Sequence, residues 1–148
     1  MLQNTLPQLF DKGLSALKKE IEAYTNETDL WIIKDGILNS GGNLCLHLVG
    51  NLKHFIGKTL GNIPYERNRE KEFADKNIPS ANLLSAIEET RLAVINSLQN
   101  LSDDDLEKIY PINVFGTEMT TESFVLHLYG HLNYHLGQIN YHRRLLNK

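Results

Sequence analysis

Apolar residues recur at steps of three and four along most of this chain, a period that α-helices alone satisfy over such lengths. Leu6, Leu9, Phe10, Leu14, Leu17 and Ile21 form the first stripe, since residues three and four apart share one helix face. The spacing predicts a helix from about Leu6 to Tyr24, with Pro7 in its first turn, where a missing N–H is no loss. A second stripe, from Leu44 to Leu60, carries Leu44, His47, Leu48, Asn51, Phe55 and Leu60. Ser40 or Asn43 is its expected N-cap, and Gly61-Asn62-Ile63-Pro64 its stop. Pro79-Ser80 opens a third helix that runs to about Asn100 with Leu83, Leu84, Ile87, Leu92, Val94, Ile95 and Leu98. Thr120 or Thr121 caps the last, which reaches about Leu146.

Between these helices lie Leu30-Trp31-Ile32-Ile33, too brief for its period to be read, and a charged stretch from Tyr65 to Ile78 read as a loop. Ser102 to Leu106 reads as a capped helical turn, and Ile109 to Met119 as an extended connection. Four helices of roughly 17–26 residues joined by a long crossover predict an all-α four-helix bundle. Residues 1–148 match the length of one domain.

Charge and cysteine use narrow the function. Fifteen Lys+Arg against 18 Asp+Glu leave a net charge of −3, without the basic stripe that displaces phosphate counterions, so nucleic acid is not an expected partner. The lone Cys45 makes no intrachain disulfide. Met1-Leu2-Gln3-Asn4-Thr5 does not read as a signal peptide, and no apolar run reaches the ~18 residues of a membrane span. The expectation is a cytoplasmic protein with no membrane partner.

Histidine is the unusual residue: four of six stand in the last 22 positions. His127, His131 and His135 are spaced by four, and each step turns about 40° and rises about 6 Å, so neighbours can share one metal ion. The outer two are roughly 12 Å apart along the axis and cannot. One site therefore uses His127 with His131, or His131 with His135. Leu132 follows His131 where a zincin motif has glutamate, so that motif's general base is missing. On the second helix His47 and His54 point almost the same way but differ by about 10 Å in height, so one site takes only one of them. Facing helices of a bundle stand roughly 8–10 Å apart, close enough for three imidazoles to meet. Three neutral imidazoles suit Zn²⁺, Ni²⁺ or Fe²⁺ and leave coordination positions open.

His47-Leu-Val-Gly50-Asn51-Leu52, followed by His131-x-x-x-His135-x-x-Gln138-Ile139, resembles the DinB/YfiT-like superfamily of proposed metalloenzymes (unrelated to the DNA polymerase sharing that label). Tyr65-Glu-Arg67-Asn-Arg69-Glu-Lys-Glu72-Phe73 is similar to an R-x-R-x-x-E-F segment of one branch. The resemblance covers about Ser40 to Leu145. It implies a bundle, usually homodimeric, with one divalent metal ion held by His47, His131 and His135, while His54 and His127 stand aside. It also implies thiol-dependent transferase or isomerase chemistry, with a low-molecular-weight thiol such as bacillithiol, mycothiol or glutathione as cosubstrate.

Asn51, one turn past His47, is placed either to orient a ligand or water or to make a plain helix–helix hydrogen bond, and Gln138, three past His135, to fix an imidazole tautomer. Arg67 and Arg69 offer guanidinium forks to a cosubstrate carboxylate, against the plainer reading of a solvated loop. Cys45 and Trp31 read as core, Tyr134 and Tyr141 as packing or interface residues. No acid stands within a turn of the ligand histidines on either helix, which favours thiol addition over hydrolysis. The expected function is a metal-dependent thiol S-transferase, or related hydrolase, acting on small electrophilic molecules. The alternative is a non-catalytic metal- or small-ligand-binding stress-response protein.

Overall fold

A computed structural model describes residues 2–147. Six α-helices follow in order: α1 (Leu2–Glu22), α2 (Gly41–Leu52), α3 (Arg69–Ala74), α4 (Ser80–Gln99), α5 (Asp103–Glu107) and α6 (Thr121–Leu146). A 3₁₀ turn at Glu27–Trp31 precedes α2, and a wider π-helical segment, Lys53–Lys58, prolongs it. The fold is all-α. Among the described residues the one β-type pairing is an isolated antiparallel bridge between Ile109 and Thr120, within the connection into α6.

The long helices form the bundle: α1 packs on α4 and α6, and α2 packs on the same two. Leu6, Phe10, Leu14, Leu17 and Ile21 of α1 are buried against Leu83, Ile87, Val94 and Leu98 of α4 and Phe124, Val125, Leu128 and Leu132 of α6. Helix α1 starts about a turn earlier than its period predicts, so Pro7 lies inside the helix. Leu2 packs on the core, and that tertiary contact sustains a turn the apolar stripe does not announce.

Local chemistry sets the helix starts. Ser40 is the N-cap of α2, its Oγ accepting from Asn43 N at 3.2 Å. Thr120 caps α6 in the same way through Ser123 N. Ser102 and Asp105 close a reciprocal capping box on α5. Trp31 is buried, and the helix start at Gly42 lies so close beneath its ring that a Cβ would stand 2.8 Å from the ring carbons.

The stretch read as a solvated loop is partly helical and partly buried. Asn43, itself fully buried, donates from Nδ2 to Glu72 O at 3.0 Å and Asp75 O at 2.9 Å. Those two bonds fasten α3 to the first turn of α2. Periodicity cannot announce six helical residues held by another element's side chain.

Candidate metal centre

The α2–α6 contact brings together His47, His131 and His135. One ring nitrogen from each lies within 4.8 Å of the other two. His131 Nε2 stands 3.1 Å from His47 Nε2 and 3.1 Å from His135 Nε2. The edge of a tetrahedral zinc–nitrogen shell is about 3.3 Å, so the spacing matches one coordination sphere.

Two of the rings are oriented by neighbours. Glu72 Oε1 accepts from His47 Nδ1 at 3.0 Å, and Gln138 Oε1 accepts from His135 Nδ1 at 2.7 Å. With those protons on Nδ1, both Nε2 atoms carry lone pairs, and both lone pairs face His131 Nε2. His131 Nε2 has at most one proton to offer, so it can answer only one of them. A cation answers all three, and that is how the donor set fits a divalent metal. His131 Nδ1 is buried with no hydrogen-bond partner among the described residues.

Glu72 is the residue the sequence reading missed. The two helices that carry the histidines hold no acid within a turn of them, whereas Glu72 arrives from α3. Arg67 grips it, with Nε 2.9 Å from Oε2 and Nη2 3.0 Å from Oε1. Burial pushes the Glu72 carboxyl up, but the bonds from His47 and Arg67 outweigh that and hold it below its ordinary range. Arg67 is therefore not a solvated loop side chain; it is largely buried over Glu72 and Phe55. The signal for Glu72 lay in the Arg67-x-x-x-x-Glu72-Phe73 run, whose Phe73 packs on the His47 ring at 4.9 Å.

Burial, then the neighbouring His135, His47 and His127 rings and Arg67, push His131 down to about 4. Burial likewise lowers His135, partly offset by its bond to Gln138. His131 is thus already neutral, as a ligand must be, throughout the neutral range. In the unfolded chain it takes its proton near pH 6.5. Between 6.5 and 4 the unfolded state therefore binds more protons, and folded stability should fall as pH drops through that window. Thermal midpoints of metal-free protein should decline over this range in wild type and less in His131→Asn; parallel declines refute the assignment.

The remaining candidates do not join the three-histidine group. Asn51 is buried, and its Oδ1 has no partner among the described residues. His54 falls in the π-helical segment with its ring edge-on to Phe55. His127 is exposed and packs on Phe115, at 4.7 Å between centroids. Cys45 is fully buried, which pushes its thiol up to about 12 and leaves it inert. Tyr134 and Tyr141 are 65% exposed and pack into no core.

A helical bundle that gathers three imidazoles between its second and last long helices defines the class: a DinB-like fold with a histidine cluster suited to a metal ion. A crystal structure of a DinB-like protein from Bacillus cereus ATCC 10987 matches with a TM-score of 0.70, at 21% identity, over 90% of this chain and 85% of that one. The family described as "protein of unknown function (DUF1572)" matches residues 4–148, and the chain belongs to it. No curated protein matches.

Proposed function

We propose that this chain holds one divalent metal ion on His47, His131 and His135 and uses it as a thiol-dependent S-transferase acting on small electrophiles. The observation that carries the reading is the convergence of three ring nitrogens, with His47 Nε2 and His135 Nε2 each 3.1 Å from His131 Nε2. Three neutral ligands leave a bound ion its full positive charge and open positions, and such an ion supplies Lewis acidity that depresses the pKa of a thiol.

The chain's own residues orient the ligands. Glu72, its carboxylate gripped by Arg67 and its backbone carbonyl held by the Asn43 side chain of α2, holds the His47 ring with Nε2 inward. Gln138 does the same for His135. Glu72 has both oxygens engaged, which supports a positioning role over that of a general base and favours thiol addition over hydrolysis. Asn51 Oδ1 remains for a bound water or ligand. The chain is taken as one domain.

Metal analysis of untagged protein should find one equivalent per chain after reconstitution at pH 7.5. Loaded protein, given bacillithiol or glutathione with 1-chloro-2,4-dinitrobenzene, should form the conjugate faster than chelator-treated protein, and added metal should restore the rate. A full equivalent of metal with no thiol turnover across a panel of electrophiles would favour the non-catalytic binding reading instead. Glu72→Gln keeps an acceptor for His47 but loses the charge. It should weaken zinc binding by about 10–100-fold, as outer hydrogen-bond partners of metal ligands do, measured by chelator competition; unchanged affinity rules out the positioning role.

A further inference from the structure

Beside His135 the surface opens into a cavity of about 600 Å³. Ile37, Leu38 and Leu44 wall one side, and Tyr134, Tyr141 and Leu145 of α6 the other. His135 and Gln138 line it too, and they are the same pair whose 2.7 Å bond directs His135 Nε2 into the histidine cluster. Cavity and cluster share a wall. The volume lies inside the ~300–1,000 Å³ of small-molecule sites, which are apolar pockets with a few polar groups gathered at one place.

The lining also says what chemistry would enter. Its two formally charged residues, Lys34 and Asp35, are opposite in sign and stand together on the exposed turn before Gly36. They offer no net charge to recruit an ion, and the lining holds no arginine. Leu38 is 90% exposed and Leu145 69% exposed, apolar surface left in water unless something covers it. A concave, mostly apolar site with His135 and Gln138 in its wall fits a ligand oriented toward His135 better than it fits a second protein surface.

We infer that this cavity receives an uncharged, largely apolar organic molecule and presents its reactive end to the three-histidine cluster, an assignment that rests on the metal-centre reading above. The probe is N-phenyl-1-naphthylamine, an uncharged fluorophore, titrated into zinc-loaded full-length protein. One saturable site per chain is expected. Leu38→Glu and Leu145→Glu, both at exposed positions that the fold tolerates, should each weaken it at least about tenfold by placing a charge in an apolar site. Zinc content should stay the same in both. Leu92→Glu, at a position 56% exposed on α4, should change neither quantity.

Absence of a saturable site, or affinity indifferent to both cavity variants, overturns the inference. So does sedimentation in which wild type is a dimer that Leu145→Glu splits as the probe site disappears, because the occupant is then a second copy. With cobalt(II) in place of zinc, probe binding should shift the visible bands, and bands that do not move overturn the shared wall. Protein that takes up probe but no metal would overturn the metal-centre reading and leave the apolar cavity standing.

Discussion

His131→Ala should abolish tight divalent-metal binding, with zinc affinity at pH 7.5 falling by more than the roughly 100-fold that losing an outer hydrogen-bond partner costs. His131 is central: its Nε2 is the atom that stands 3.1 Å from both of the others. His47→Ala and His135→Ala should be about as severe, since each removes one of three donors. His54→Ala and His127→Ala should leave affinity largely intact, because His54 sits on the π-helical segment against Phe55 and His127 packs under Phe115. The measurement is zinc competition against a chromophoric chelator, with circular dichroism to show that each variant is folded. Loss in His127→Ala with retention in His135→Ala would move the site one turn along α6 and defeat the assignment.

Gly50→Ala should both destabilise the protein and weaken metal binding, although alanine favours a helix over glycine by about 1 kcal/mol. A Cβ at position 50 would overlap Glu72 Oε2 and lie 2.6 Å from its Cδ. Glu72 cannot withdraw freely, because Arg67 and His47 hold its oxygens and Asn43 holds its backbone. Forcing extra volume into such a packed place typically costs about 1–3 kcal/mol. The expected net loss is therefore up to about 2 kcal/mol in urea unfolding of metal-free protein, the overpacking less the helix gain. The decisive comparison is a double-mutant cycle. In a Glu72→Ala background the same Gly50→Ala change meets no carboxylate and should be neutral or stabilising. If it costs as much there as in wild type, the glycine serves something other than the approach of Glu72.

Gly50 also shows how far local reading reaches. Within His47-Leu-Val-Gly50-Asn51 it looks like a helix-weakening residue in mid-helix, and nothing nearby explains it. The explanation is a side chain 22 positions later in the chain. Helix starts were legible for the opposite reason: Ser40, Ser102 and Thr120 act on backbone N–H groups three residues away, and a sequence displays that relation directly. The core stripe of α1 was legible because burial follows a 3.6-residue period, and it failed only at the edge, where Leu2 adds a turn through packing.

The sequence by itself determined an all-α chain with four long helices and the histidine pairs that can share a face, because period and capping are properties of neighbouring residues. It confined any single site on α6 to His131 with one partner, since helical rise separates His127 from His135. Tertiary structure decided the rest. The packing of α2 on α6 brings His47 within 3.1 Å of His131, across 84 positions of sequence. The fastening of α3 to Asn43 delivers Glu72 and Arg67 to a site where no acid was expected. Those contacts join residues from 25 to 84 positions apart, and no local rule of helix geometry can place such residues together; only the closed bundle can.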